Sequence, residues 1–235
     1  MNIRNIMALS LFAGLASTAV AGNVVSYTDW TSASSPGVSA SASGTLALSS
    51  GTVNISYNGE FAFAQVNNGG IQYWTQPNPL ELPYTGNAVV GNAPSTTDII
   101  ALSEQSPTEV NTITFSQAVL NPIMLINSLG QPNLEVDYVF NQPVTLLSSG
   151  QGYWGGGPLG LTVSGDATIG LEGAGAIEFL GEVSSISWTT RGKEYWNGFT
   201  IGAVTDQTRG VPDGGTTVAL LGVSLSCLAG FRRKK

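Results

Sequence analysis

Few residue types that can do chemistry occur between Gly22 and Gly210. The chain has no His, and its one Cys, Cys227, lies beyond this segment. A zinc site of the usual His and Cys ligands, Ser-His-Asp catalysis and Cys-His catalysis are therefore excluded there. A disulfide framework is excluded for the same reason. Carboxylates, the amine of Lys193, tyrosines and hydroxyls are the groups that remain.

Glu135 and Asp137 flank Val136 in a segment that alternates like a strand, which places both carboxylates on one face. The spacing is similar to the ExDxxE motif of retaining jelly-roll β-glucanases, but Phe140 stands at the position of the second Glu. Retaining hydrolysis needs two carboxyl groups, one to attack and one to protonate. The alternation also fits a solvated outer face opposite core residues. We therefore expect no catalytic residue and predict that the protein is not an enzyme.

A glycine-rich run surrounds one Tyr-Trp pair. Residues 150–155, GQGYWG, match the GxGxxG pattern of dinucleotide-binding sites. That pattern needs a helix to meet the pyrophosphate, whereas the GGP run at 156–158 breaks helices. The run instead predicts a flexible glycine loop that presents Tyr153 and Trp154.

Three Tyr-Trp pairs, at 73–74, 153–154 and 195–196, are candidates for binding. Exposed aromatic rings stack on the apolar faces of sugars, so these pairs could contact a glycan. Alternatively, the rings belong to the core or cap the ends of the fold, and we expect the core for Trp188, inside an alternating strand. The candidate glycan contacts are Tyr73, Trp74, Tyr153, Trp154 and Trp196.

Carboxylates near turns offer oxygen ligands. Asp166, Glu172 and Glu182 lie on or near predicted turns, and Ca²⁺ takes about six to eight oxygens. No DxDxDG-type loop occurs in the sequence. We expect no cofactor and no metal site, with Ca²⁺ as the alternative.

The segment is strongly acidic. It contains 14 of the chain's 15 carboxylates, all but Asp213, and three of its eight cations, so its net charge is −11. A surface of this charge repels phosphate backbones, and nucleic acid is therefore excluded as a partner.

Period-two alternation of apolar residues predicts the elements that position these groups. It recurs at 46–48, 53–57, 113–115, 136–140, 177–179, 186–188 and 199–201, with turn residues between the runs. No helical period occurs before Val211. We therefore predict an all-β fold, an antiparallel two-sheet sandwich of jelly-roll or lectin-like kind, over residues 22–203.

Three segments depart from this alternation. Residues 31–45, rich in Ser and Ala, predict a low-complexity loop within the domain. Residues 71–94, rich in Pro, Asn and Gly, predict a long loop. Residues 204–210 are expected to form a linker.

The N-terminus has the layout of a secretory signal peptide at residues 1–21. Arg4 gives a positive n-region, residues 6–15 form an apolar h-region, and Ala19 and Ala21 form a small-residue cleavage site before Gly22. Export through the Sec translocon and cleavage by signal peptidase are therefore expected.

The C-terminus combines a turn motif, an apolar stretch and terminal cations. Residues 216–231 carry no charge and would span about 24 Å as a helix, short of a hydrocarbon core of about 30 Å. This predicted transmembrane helix is therefore a weak anchor, suited to a transient stop. Its stop-transfer cations, which remain on the cytoplasmic side, are Arg232, Arg233, Lys234 and Lys235.

The layout of residues 211–235 resembles the PEP-CTERM sorting signals of Gram-negative bacteria, as a VPDGG-type variant. The motif residues are Val211, Pro212, Asp213, Gly214 and Gly215. The resemblance implies an exported protein that is transiently anchored in the inner membrane, is processed by exosortase, and reaches the cell surface or the extracellular space. It also implies a structural or adhesive role in exopolysaccharide or biofilm. A carbohydrate-binding module is the alternative, and a secreted glycoside hydrolase is the least favoured one.

The exported protein is expected to have a new N-terminus. Because the small-residue site ends at Ala21, N-terminal sequencing of protein recovered outside the cell should begin at Gly22. Recovery of chains that still begin at Met1 would contradict the assignment.

Overall fold

The computed structural model describes residues 22–75, 83–103, 106 and 108–206. The predicted signal peptide, the end of the predicted linker from residue 207 on, and the whole of 211–235 lie outside these residues. In the described ranges, the regular secondary structure consists of β-strands alone. In that part of the chain, no helix has the length and apolar character needed to cross a membrane.

The described part of the chain contains 16 strands. In chain order they are β1 Val25–Tyr27, β2 Asp29–Ala33, β3 Gly37–Leu48, β4 Gly51–Phe61, β5 Phe63–Gln65, β6 Ile99–Leu102, β7 Asn111–Leu120, β8 Ile123–Leu129, β9 Val136–Phe140, β10 Thr145–Gly152, β11 Gly155–Gly156, β12 Leu161–Ser164, β13 Ala167–Gly170, β14 Gly173–Glu178, β15 Glu182–Arg191 and β16 Asn197–Val204.

The strands form two eight-stranded sheets that pack as a sandwich. The first sheet has the order β11-β10-β14-β8-β16-β6-β5, and β1 also pairs with β16. The second sheet has the order β12-β13-β9-β15-β7-β4-β3-β2. All pairs between these strands are antiparallel. The predicted antiparallel two-sheet sandwich is confirmed.

Alternation along the strands builds the core between the sheets. In β4, Val53, Ile55 and Tyr57 are buried, whereas Asn54 between them is exposed. Trp188 of β15 is 1% exposed, which confirms its predicted place in the core. Its ring lies 5.2 Å from that of Phe199 in the facing sheet, at 89°. Edge-to-face packing of this kind stabilises the contact between the sheets beyond simple burial.

The first sheet has a second apolar core on its outer face. In β8, Met124 and Ile126 face the other sheet, whereas Ile123 and Leu125 belong to a separate buried cluster. The irregular segment of residues 66–75 and 83–98, hereafter the cover, supplies buried side chains to this outer cluster, although Val66 at its start packs against the core between the sheets. Its buried members include Trp74. The predicted long loop at 71–94 is thus irregular where it is described, but much of it is buried.

The predicted loop at 31–45 is wrong. Residues 29–33 and 37–48 form β2 and β3, and β3 pairs with β4 along most of its length. Its inward positions are Ala40, Ala42 and Gly44, which are small but buried. The alternation is therefore present with small side chains, which a reading based on hydrophobic bulk does not detect.

The sandwich also extends slightly beyond the predicted boundary at residue 203. Strand β16 ends at Val204, and the N–H of Thr205 donates to the carbonyl of Val24 at 2.8 Å. These first two residues of the predicted linker therefore belong to the sandwich.

Asp98 connects the cover to both sheets. It immediately precedes β6 and is 1% exposed. Its Oδ2 accepts from the backbone N–H of Trp30 in β2 at 3.1 Å, and its Oδ1 accepts from that of Asn68 in the cover at 2.8 Å. Its main-chain carbonyl accepts from Trp74 Nε1 at 3.1 Å. Burial raises the pKa of Asp98, and the two backbone hydrogen bonds oppose that rise.

We expect Asp98→Ala to destabilise the domain by about 2–4 kcal/mol, because it leaves two backbone N–H groups without their acceptor. Chemical denaturation measures the change in the free energy of unfolding. The control Asp166→Ala removes an exposed carboxylate from a turn and should change stability by less than about 0.5 kcal/mol. Equal effects of the two substitutions would show that Asp98 does not fix the cover.

Candidate functional site

The glycine-rich run forms a hairpin. Gly152 pairs with Gly155 and Gln151 with Gly156, so Tyr153 and Trp154 are the two turn residues between β10 and β11. Gly156 has φ +84°, and a Cβ there would lie 2.1 Å from the carbonyl oxygen of Glu172. Only glycine allows this approach. The turn is therefore packed against its neighbours, in place of the predicted flexible loop, and no helix follows it in the described chain.

Members of all three Tyr-Trp pairs meet at this hairpin. The ring of Trp154 lies 4.2 Å from that of Trp196 at 87°, and 4.6 Å from that of Tyr73. Tyr153 lies 5.2 Å from Tyr73 at 89°. We call Tyr73, Tyr153, Trp154 and Trp196 the aromatic patch. Three distant segments supply it, namely the cover, the hairpin and the residues before β16.

The aromatic patch has a buried base and an exposed top. Tyr153 is 39% and Trp154 is 41% exposed, whereas Tyr73 is buried and Trp196 is half-buried. Phe63 of β5 packs against Trp196 at 5.1 Å and continues the patch into the core beneath the cover. Neighbouring rings therefore hold the two exposed side chains in place. Contact with a glycan remains a prediction for these four residues.

Trp74 does not belong to this surface, and its prediction as a glycan contact is wrong. It is 1% exposed, and its ring packs against Tyr84 at 5.4 Å. Its Nε1 is occupied by the hydrogen bond to Asp98. Neighbouring residues in the cover point in different directions, so one member of the pair 73–74 joins the aromatic patch and the other fills the core.

Glu135 and Asp137 lie on the outer face of the second sheet. Val136 and Tyr138 face the core, as the alternation predicts. Burial raises the pKa of Asp137, the charge of Glu135 raises it further, and Arg191, its cross-strand partner, lowers it.

The three carboxylates considered for Ca²⁺ lie apart in the fold. Asp166 occupies the β12–β13 turn, Glu172 the β13–β14 connection, and Glu182 the start of β15. Glu172 Oε1 accepts from the hydroxyl of Ser128. Over the described ranges, no group of three or more acidic, His or Cys residues is arranged to hold a metal ion. Bound Ca²⁺ remains an untested alternative.

A pocket that the sequence did not reveal lies next to the patch along the chain. It has a volume of about 510 Å³. The described residues that line it are Ser103, Gln131, Leu134, Lys193, Glu194 and Tyr195.

Glu194 is the buried polar group of this pocket. It is 7% exposed, and its Oε1 accepts from the N–H of Gly130 and from Asn197 Nδ2, each at 2.7 Å. Burial raises the pKa of Glu194 to about 7, Glu172 adds to the rise, and the two hydrogen bonds oppose it. One of the two donors comes from 64 residues away, so sequence spacing gives no signal for the site.

Comparison with known proteins concerns the tail of the chain. A VPDSG-CTERM motif matches residues 210–235. This is a sorting signal of the PEP-CTERM type, with Gly214 at the position of the Ser in the motif, so the resemblance found in the sequence is confirmed for the tail. Neither the curated proteins nor the solved structures gave a match to the chain.

The tail and the fold together define a class of protein. It is an exported β-sandwich protein that carries a PEP-CTERM-type sorting signal. A signal of this type implies processing by exosortase and a final position at the cell surface or outside the cell.

Glu194 should make stability depend on pH. The pKa of Glu194 in the folded protein lies above the ordinary value of 4.5, so the protonated side chain stabilises the fold. This contribution to the free energy of unfolding is fully present below about pH 4.5 and is lost as the pH rises through about 7. Between pH 4.5 and 8, the wild-type protein should lose up to about 3 kcal/mol relative to Glu194→Gln. Denaturation of both proteins across this range measures the difference, since the other carboxylates are common to both. Parallel stability curves would show that Glu194 is not perturbed.

Proposed function

We propose that the protein is a structural or adhesive component of an extracellular polysaccharide layer, and that the aromatic patch binds the glycan. The observation that supports this best is the convergence of four aromatic side chains from three segments, with Tyr153 and Trp154 partly exposed. The sorting signal supports a location where such polymers occur.

The geometry of the patch suits stacking on sugar rings. Aromatic rings offer a large contact area and lose little conformational entropy on binding. The packing of Trp154 between Tyr73 and Trp196 reduces that loss further, because the ring is already held before a ligand arrives. A polymer offers many equivalent sugar units to such a platform, so stacking on one patch can retain the protein in a matrix.

The charge of the domain disfavours polyanionic glycans relative to neutral ones. With a net charge of −11, the segment between Gly22 and Gly210 repels polyanions, including nucleic acids and uronic-acid chains.

The same patch would also suit the alternative function, a carbohydrate-binding module that recognises one glycan. The adhesive protein and the binding module would differ in selectivity, because an adhesin tolerates several neutral polymers.

The protein would reach the surface through successive processing steps. The Sec translocon would export the chain, and signal peptidase would remove residues 1–21. The apolar residues 216–231 and the four terminal cations would then hold the protein in the inner membrane until exosortase acts at 211–215.

Trp154→Ala should weaken the affinity for neutral polysaccharides about tenfold, as measured by retention in affinity gels that contain them. The reason is the loss of the larger exposed ring of the patch. The control Leu180→Ala removes an exposed side chain from the β14–β15 turn, away from the hairpin, and should bind like the wild type.

Thermal melts test whether Trp154→Ala still folds. Since Trp154 is 41% exposed, we expect a cost of about 1–2 kcal/mol, against about 3–5 kcal/mol for the buried Trp74→Ala. Unchanged gel retention of a folded Trp154→Ala protein would overturn the role of the patch.

A further inference from the structure

The pocket and the aromatic patch share one stretch of chain. Lys193, Glu194 and Tyr195 line the pocket, and the next residue, Trp196, belongs to the patch. The hairpin below Trp154 also packs on Glu172, the carboxylate that interacts electrostatically with Glu194. The pocket and the patch therefore belong to the same end of the first sheet, where β8 and β10 end and β16 begins. An extended ligand that contacts both would run across this end.

The carboxyl group of Glu194 is oriented by a chain of hydrogen bonds. The hydroxyl of Tyr138 donates to Asn197 Oδ1, which turns Asn197 Nδ2 toward Glu194. The N–H of Gly130 donates to the same carboxylate oxygen, Oε1. Both bonds thus fall on Oε1, and no described group bonds Oε2. Because Glu194 lines the pocket, Oε2 is the oxygen left to meet a ligand there.

We propose that this pocket is a second sugar subsite, which takes a hydroxyl-rich neutral unit of the same glycan that stacks on the aromatic patch. The proposal rests on the proposed function. A volume of about 510 Å³ falls within the usual range for small-molecule sites and is ample for one or two sugar units. The lining contains an amide, a hydroxyl, an amine and a carboxyl group that can bond the hydroxyls of a sugar. The ring of Tyr195 can contact the apolar face of the sugar.

The pocket carries charges of both signs, because Lys193 and Glu194 both line it. A uronic acid would meet the carboxylate of Glu194 and an amino sugar would meet the ammonium of Lys193, whereas a neutral sugar meets neither repulsion. A sugar hydroxyl can both donate and accept, so it satisfies Oε2 whether or not the carboxyl group carries a proton. A ligand amine or carboxylate satisfies it in only one of the two states.

The experiment uses the secreted domain and an array of neutral, amino-bearing and uronic-acid-bearing oligosaccharides of about two to eight units. Isothermal titration with the neutral oligosaccharide that binds best then compares variants. Tyr195→Ala removes a side chain that is 87% exposed, so it leaves the fold intact. Glu194→Gln retains an acceptor at Oε1 but replaces Oε2 by a donor-only amide. We expect each to weaken binding about tenfold, with Leu180→Ala unchanged.

The outcomes separate the pocket from the patch. Loss of affinity in Tyr195→Ala and Glu194→Gln supports the subsite, whatever Trp154→Ala does. Loss in Trp154→Ala alone, with both pocket variants binding like the wild type, overturns the subsite and leaves the proposed function standing. Loss in the pocket variants alone supports the pocket and rejects the patch. Binding only to charged oligosaccharides, or to none, overturns the subsite.

Discussion

The fold depends on covering both faces of the first sheet. Its central strand β8 is buried along its whole length, so the sheet has apolar side chains toward the second sheet and away from it. A sheet of this kind needs a layer on each side. The second sheet provides one layer and the cover provides the other. Asp98 joins the three parts. Its carboxylate accepts hydrogen bonds from β2 and from the cover, and β6 of the first sheet follows it directly in the chain.

The aromatic patch is a consequence of that cover. Trp74 points into the layer beneath the cover, whereas Tyr73 reaches its edge, where the hairpin and Trp196 meet it. The hairpin reaches this place because glycine at 152 and 156 allows backbone contact that a side chain would block. The same packing that completes the core thus leaves Tyr153 and Trp154 held but accessible, which is a suitable arrangement for binding a polymer.

A buried polar chain leads from the core to the surface near this patch. Tyr138 in the second sheet bonds Asn197 in the first, and Asn197 bonds Glu194 at the pocket. Burial without a charged partner in that chain is what raises the pKa of Glu194. Core and pocket are therefore coupled, since a change at Asn197 or Tyr138 would alter the carboxyl group that lines the pocket.

The sequence alone determined the fold class, the place of Trp188 in the core and the sorting signal, because alternation, apolar runs and terminal charge are local properties. It missed β3, whose small inward residues carry the alternation without hydrophobic bulk. It could name the Tyr-Trp pairs but could not separate Tyr73 from Trp74, since burial in an irregular segment depends on what packs against it. The meeting of four rings and the pocket at Glu194 were decided by tertiary structure, because their residues come from segments far apart in the chain.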